Sequence, residues 1–126
     1  VAAGYAPECV SAFIDDMAAA YAWADVALCR AGASTVAELC AAGLPSVLVP
    51  FPHAIHDHQT RNAEVLTRSG AAVLVPEGRM AVQHMSDILL RLLTMPGERE
   101  PMAAAALSAA RPDAAARVVA VLKETA

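Results

Sequence analysis

Short runs of β-branched and leucine residues alternate along the chain with longer stretches in which apolar residues recur at helical spacing. Four such runs predict strands, at residues 9–13, 26–29, 46–50 and 71–75. After Ser46 the run at 46–50 is apolar throughout, which is typical of a strand covered on both faces. Alternation of this kind builds parallel sheets from β–α units, so the pattern predicts an α/β fold with flanking helices.

Helices are predicted between these strands, at about residues 17–23, 34–42 and 59–69. Asp15 or Asp16 precedes the first helix as an N-cap residue, an interpretation that we prefer to an acid/base pair. Gly43 is the expected C-cap of the second helix, and Gly70 ends the third.

In the last third of the chain, the spacing of apolar residues predicts only helices. One covers residues 81–94, and Pro96 with Gly97 breaks it. Pro101 is expected at the first position of an alanine-rich helix. Pro112 with the following aspartate restarts a last helix that ends near residue 124. We therefore predict one domain over residues 1–126 with a helical tail over about 81–126.

Composition and charge exclude several classes of protein. The chain has 126 residues, 57% of them hydrophobic and 17% charged, which is typical of a globular domain and not of a disordered one. Its net charge of -4 and its eight arginines and one lysine, which form no run, argue against nucleic-acid binding. No apolar stretch approaches the roughly 20 residues of a membrane-spanning helix.

The three cysteines, Cys9, Cys29 and Cys40, show no CxxC spacing. They predict buried thiols in a reducing cytoplasm, and argue against a disulfide framework or a zinc site. The chain begins with Val1 and has no basic leader, from which we expect an N-terminally incomplete domain without a signal peptide.

Ligands of open parallel sheets bind outside the carboxyl ends of the strands, which selects the loops at residues 13–16, 30–35 and 51–59. The loop at 30–35 leads from a strand into a helix through small residues, so backbone amides at the helix start could face a phosphate. It is neither a GxGxxG nor a Walker A motif, and an ordinary capped helix is the alternative.

Glu38 lies three residues after Thr35, a spacing that matches a capping box. The carboxylate would then bind a backbone amide. Alternatively, it lies one turn into the helix beside the anion site, where it could accept hydrogen bonds from ribose hydroxyls. The residues alone leave both open.

One loop contains His53, His56, Asp57 and His58, residue types that bind zinc or manganese, so a metal site is one possible interpretation. Their spacing matches no helix-borne ligand pair, and we predict no metal and no cofactor. A solvated loop whose histidines cap the next helix is one alternative. In the other, His58 and Gln59 bind sugar hydroxyls. No Ser-His-Asp order or GxSxG motif is present.

Four segments, at residues 13–25, 29–38, 43–53 and 57–64, together resemble the MurG family of peptidoglycan N-acetylglucosaminyltransferases. In chain order, the sequences of these segments are FIDDMAAAYAWAD, CRAGASTVAE, GLPSVLVPFPH and DHQTRNAE. The resemblance implies the GT-B arrangement of two Rossmann-like domains, of which this chain is most of the C-terminal, donor-binding one. It also implies an inverting transfer of GlcNAc from UDP-GlcNAc to the undecaprenyl-linked acceptor lipid I, which gives lipid II.

For the nucleoside, the resemblance implies that Ile14 holds uracil through its backbone and that Phe13 and Met17 form an apolar wall. Glu38 takes the ribose hydroxyls, which favours the binding role over the capping box.

For the rest of the donor, the resemblance implies that Ala33, Ser34 and Thr35 offer amides and a hydroxyl to the diphosphate. Gln59 and His58 would contact the GlcNAc hydroxyls.

The resemblance places the acceptor site and the catalytic base upstream of this chain, so we expect the chain alone to be inactive. The whole protein would be cytoplasmic and peripheral to the inner face of the bacterial plasma membrane. Two alternatives are another GT-B enzyme, such as a UDP-GlcNAc 2-epimerase, and a non-catalytic partner domain.

Overall fold

A three-stranded parallel sheet forms the centre of the fold in the computed structural model, which describes residues 10–53 and 57–125. The strands are β1 (Ala27–Cys29), β2 (Ser46–Leu48) and β3 (Ala72–Leu74), in the order β1-β2-β3. Ala27 lies opposite Ser46, and Ser46 lies opposite Ala72, so the carboxyl ends of all three strands reach the same edge. The predicted parallel α/β fold is confirmed.

Six α-helices occur in the described part of the chain. They are α1 (Met17–Trp23), α2 (Ala33–Ala42), α3 (His58–Arg68), α4 (Val82–Thr94), α5 (Pro96–Ala109) and α6 (Ala114–Glu124). A short 3₁₀ helix at Glu77–Arg79 follows β3. The predicted helices at residues 17–23, 34–42, 59–69, 81–94 and near the carboxyl end are confirmed within one or two residues.

The central strand β2 is buried on both faces, as its continuous apolar run predicts. Leu48 packs on one face with Leu39 of α2 and Leu66 of α3. Val47 points to the opposite face, where it joins Ile88 of α4. Successive side chains of a strand alternate between the faces of a sheet, so one short strand supports two hydrophobic clusters.

The strand predicted at residues 9–13 is wrong in its described part. Residues 10–13 form no strand, Val10 is 56% exposed, and Cys9 lies outside the described residues. A short segment such as this one forms a strand only where a neighbouring strand takes up its backbone hydrogen bonds. No described strand pairs with these residues, because β1 pairs only with β2.

The start of α5 differs from the prediction. The helix begins at Pro96, and Pro101 lies inside it, not at its first position. The break falls on Met95, whose backbone angles, φ -116° and ψ 87°, lie outside the helical region that a following proline disfavours. Arg99 then donates to the carbonyl groups of Leu92 and Leu93 at 3.3 Å. These carbonyl groups belong to the last turn of α4 and have no partner within the helix.

Two predicted helix caps are confirmed. Asp16 accepts a hydrogen bond from the backbone N–H of Ala19 at 2.9 Å and so caps α1. Gly43 ends α2 in the left-handed conformation, at φ 63°, and donates to carbonyl groups of the last turn.

Among the described helices, none has both the length and the apolar character needed to cross a bilayer.

Candidate functional site

The first turns of α3 connect the two loops that leave β1 and β2. The Oε1 atom of Gln59 accepts the backbone N–H of Phe51 at 2.9 Å and that of Ala31 at 3.3 Å. One turn later, Asn62 donates from Nδ2 to the carbonyl of Ala31 at 3.1 Å. The structure thus brings the loop at 30–35 and the start of the loop at 51–59 together, as expected from the position of the strand ends. Sequence reasoning missed Asn62, although two amides at i, i+3 on one helix face were a usable signal.

The amino end of α2 presents open backbone amides. Gly32 is the N-cap residue, has an extended backbone and has no side chain to cap the helix. The first backbone hydrogen bond of the helix runs from the N–H of Val36 to the carbonyl of Gly32, at 2.9 Å. The N–H groups of Ala33, Ser34 and Thr35 therefore have no partner within the helix. Together with the helix dipole they can bind an anion.

The capping box, one of the two alternatives for Glu38, does not form. Because the extended backbone of Gly32 starts the helix at Ala33, Thr35 is already its third residue and does not occupy the N-cap. The Oε2 atom of Glu38 instead accepts a hydrogen bond from the phenol O–H of Tyr21, at 2.9 Å. Glu38 is exposed, and its carboxylate faces α1.

A groove of about 360 Å³ lies between α1 and α2. Met17, Tyr21 and Glu38 line it together with four alanines of the two helices. Two of the predicted donor-binding residues, Met17 and Glu38, thus meet at one groove. Burial, together with the hydrogen bond to Glu38 and its charge, raises the pKa of Tyr21 to about 12.

The chain segment that leads into α1 carries the other two predicted nucleoside contacts. Phe13 is 77% exposed and Ile14 is 46% exposed. The backbone groups of Ile14 form no hydrogen bond with any described residue. Both residues are therefore accessible to a ligand. The groove between α1 and α2 does not include either of them.

Arg30 joins the carboxyl ends of all three strands, a role that the sequence did not reveal. Its guanidinium donates to the carbonyl groups of Val49 and Pro50 at 3.3 Å and forms an ion pair with Glu77, which follows β3. The same guanidinium lies 5.6 Å from the ring centroid of Phe51, a cation–π distance. These contacts tie the loop after β1 to the ends of β2 and β3, in addition to the contacts of Gln59.

The histidine-rich loop is only partly described. His53 packs its ring edge-on against Phe51, with 5.7 Å between ring centroids. His56 lies outside the described residues, and His58 is the first residue of α3. Asp57 is the N-cap residue in the left-handed conformation, at φ 55°, and its side chain caps nothing. Within residues 10–53 and 57–125, no group of three or more His, Cys, Asp or Glu side chains is placed to hold a metal ion.

The described cysteines are free thiols. Cys40 is buried and Cys29 is half-buried, and burial raises the pKa of both. The burial of Cys40 agrees with the predicted buried thiols, Cys29 is only half-buried, and Cys9 lies outside the described residues.

Comparisons with known proteins agree with this geometry. Residues 5–118 match the model of the glycosyltransferase family 28 C-terminal domain. A protein of Marinobacter nauticus, UDP-N-acetylglucosamine–N-acetylmuramyl-(pentapeptide) pyrophosphoryl-undecaprenol N-acetylglucosamine transferase, is 54% identical over 110 residues, which are 87% of this chain and 30% of that protein. The protein of the same name from Xanthomonas oryzae is 55% identical over 93% of this chain and 26% of its own length.

Among solved structures, a crystal structure of Acinetobacter baumannii MurG superimposes with a TM-score of 0.82. It is 40% identical and covers 89% of this chain and 33% of its own. This similarity confirms the predicted Rossmann-like GT-B domain. The chain spans about a third or less of the length of these relatives.

Proposed function

Because this chain belongs to the glycosyltransferase family 28 C-terminal domain family, we propose that it is the UDP-GlcNAc-binding part of an inverting N-acetylglucosaminyltransferase. The relatives from M. nauticus and X. oryzae carry names that state this donor and an undecaprenyl-pyrophosphoryl N-acetylmuramyl-pentapeptide acceptor. We propose the same donor and acceptor for the protein that contains this chain, so that it converts lipid I to lipid II in peptidoglycan synthesis. These names favour the transferase over the alternatives of a UDP-GlcNAc 2-epimerase or a non-catalytic partner domain.

The uncapped amino end of α2 is the observation that carries this proposal. In an inverting transfer, an acceptor hydroxyl displaces UDP, and negative charge grows on the diphosphate as it leaves. The N–H groups of Ala33, Ser34 and Thr35 are fixed by the helix, so they can stabilise that charge without reorganising. Gln59 and Arg30 support this role, because their hydrogen bonds hold the loop that precedes α2 in place.

The nucleoside would lie toward α1. We propose that the open backbone of Ile14 binds uracil between Phe13 and Met17, and that Glu38 accepts the ribose hydroxyls. The exposure of these side chains supports the proposal.

The sugar would lie near the start of α3. The Oε1 atom of Gln59 already accepts two backbone N–H groups, so its amide nitrogen is the group that it can offer to a GlcNAc hydroxyl. His58, at the first position of the same helix, is proposed as a second contact to the sugar.

The acceptor site and the catalytic base are proposed to lie in the part of the relatives that this chain does not cover. The same part would hold the protein at the inner face of the plasma membrane, because the acceptor is a lipid. We expect the 126-residue chain by itself to bind the donor without transferring sugar.

A thermal-shift experiment tests the proposal. The folded chain is heated with UDP-GlcNAc, UDP-GalNAc, UDP or GDP, and a ligand at 100 times its Kd adds about 2.7 kcal/mol of stability. We expect the uridine nucleotides to stabilise the chain and UDP-GlcNAc to do so most. Equal shifts with GDP, or no shift in a sample shown to be folded by circular dichroism, would contradict the proposal.

A further inference from the structure

Tyr21 of α1 holds the carboxylate of Glu38 of α2 at the edge of the groove between the two helices. Its phenol O–H donates to Oε2 at 2.9 Å across 17 residues of sequence. Both side chains line the groove, together with Met17. No sequence motif pointed to Tyr21, since the pair forms only when α1 packs on α2.

The ring and the hydroxyl of Tyr21 make separate contacts. The ring is half-buried against the cluster that contains Leu39 and Cys40, and α1 has no fully buried residue of its own. Packing of the ring therefore helps to attach α1 to the domain. The hydroxyl adds nothing to that packing, because it reaches out to an exposed carboxylate. A change to phenylalanine removes the second contact and keeps the first.

A carboxylate that is already held binds a diol more tightly than a free one. Glutamate has three rotatable side-chain bonds, and fixing them on binding costs conformational entropy. Tyr21 fixes Glu38 before the ligand arrives. A carboxylate only accepts hydrogen bonds, so Oε1 and the second lone pair of Oε2 are left for two hydroxyl donors.

We propose that Tyr21 is a positioning residue that acts through Glu38, and that this pair selects nucleotides by their ribose hydroxyls. The inference rests on the proposed function, because it assigns the ribose of the donor to Glu38. A site built to bind hydroxyls discriminates strongly against an analogue that lacks them, since its polar groups are then left unpaired.

Calorimetry with UDP and with 2′,3′-dideoxyuridine diphosphate tests the inference. In Tyr21→Phe we expect the affinity for UDP to fall roughly 3- to 10-fold, the effect of one hydrogen bond. The affinity for the dideoxy analogue should change by less than about twofold, because it has no hydroxyl for Glu38 to bind. Trp23→Phe is the matched control, since Trp23 lies on the same helix and is 88% exposed. It should leave both affinities unchanged.

A double-mutant cycle separates positioning from a direct contact of Tyr21 with the ligand. In a Glu38→Ala background, Tyr21→Phe should cause no further loss of UDP affinity, because the residue through which it acts is gone. Circular dichroism melts of each variant establish that the fold is kept.

The outcomes distinguish the inference from the function on which it rests. Equal losses for UDP and the dideoxy analogue in Tyr21→Phe, or the full loss again in the Glu38→Ala background, would overturn the inference and leave the donor-binding proposal standing. An unchanged UDP affinity in Tyr21→Phe would do the same. A folded wild-type chain that binds neither nucleotide would overturn both.

Discussion

Gly43 lies so close to Leu107 that a Cβ atom at position 43 would be 2.7 Å from Leu107 Cγ. Gly43 also has a φ of 63°, the left-handed conformation in which side chains are strained. Two independent causes therefore require glycine at the end of α2, one in the backbone and one in the packing of α5 on α2.

We predict that Gly43→Ala lowers the free energy of unfolding by about 2 kcal/mol, through backbone strain and crowding of Leu107. Urea unfolding followed by circular dichroism measures it. Gly78→Ala is the control, because nothing lies within 4 Å of its added Cβ and its φ is not positive. Equal midpoints for the two variants would contradict the prediction.

The two causes at Gly43 differ in whether the sequence predicts them. A glycine after a periodic run predicted the C-cap, since capping is a local property. The contact with Leu107 involves a residue 64 positions away in a helix whose start was predicted wrongly, so no local pattern could reveal it. Residues 10–13 show the same limit of local patterns. They have some β propensity, but no described strand lies beside them to pair with.

For the candidate site, the sequence located the loops at strand ends but not what holds them. The loop at 30–35 and Gln59 were predicted from position and resemblance. The contacts of Arg30 and Tyr21 were not, because each joins elements that are distant in sequence. For Asn62 the i, i+3 spacing from Gln59 was a local signal, but its partner, the carbonyl of Ala31, is equally distant in sequence. Side chains that fix a site are specified by tertiary packing.

Gln59 has a structural role that can be measured without ligand. We predict that Gln59→Ala destabilises the fold by roughly 1 to 3 kcal/mol, because the N–H groups of Ala31 and Phe51 lose their acceptor. Gln83→Ala is the control, because among the described residues the side chain of Gln83 bonds only to Asp87, one turn away on the surface of α4. Urea midpoints that fall together in the two variants would argue against this role.

Glu38 should contribute to binding and not to helix capping. We predict that Glu38→Ala weakens UDP-GlcNAc binding by roughly 1 to 3 kcal/mol while leaving the melting temperature nearly unchanged. Glu64→Ala, which removes an exposed carboxylate paired with Arg68, is the control and should bind normally. Calorimetry and thermal melts give the two quantities. Unchanged affinity would remove Glu38 from the proposed site.

Tyr21 should make the stability of the fold depend on alkaline pH. Its pKa is raised to about 12 in the folded chain, above the ordinary value of 10.0, so the unfolded chain releases the proton first. The protonated phenol therefore contributes to the stability of the fold. This contribution is fully present below pH 10 and is lost as the pH rises toward 12. We predict that wild type loses more stability than Tyr21→Phe between pH 9 and pH 11, measured by urea unfolding. Parallel losses in the two proteins would show that this phenol is not perturbed.

Ser34 offers a test in which stability and binding change in opposite directions. It is exposed at the second position of α2, among the amides proposed to bind the diphosphate. Ser34→Glu adds a negative charge near the positive end of the helix dipole, which should stabilise the fold by about 0.3 to 1 kcal/mol. The same charge would repel the diphosphate, so we expect UDP to bind at least about tenfold more weakly, a cost near 1.4 kcal/mol.

The neutral variant Ser34→Gln separates charge from size at this position. It should bind UDP more tightly than Ser34→Glu does and gain none of the added stability, because it has a similar size but carries no charge to repel the diphosphate or interact with the dipole. Calorimetry at low and high salt adds a further check, since the repulsion in Ser34→Glu should weaken as salt screens it. If Ser34→Glu and Ser34→Gln bound UDP equally, the diphosphate would have to lie away from the amino end of α2, and the mechanism proposed for the leaving group would lose its basis.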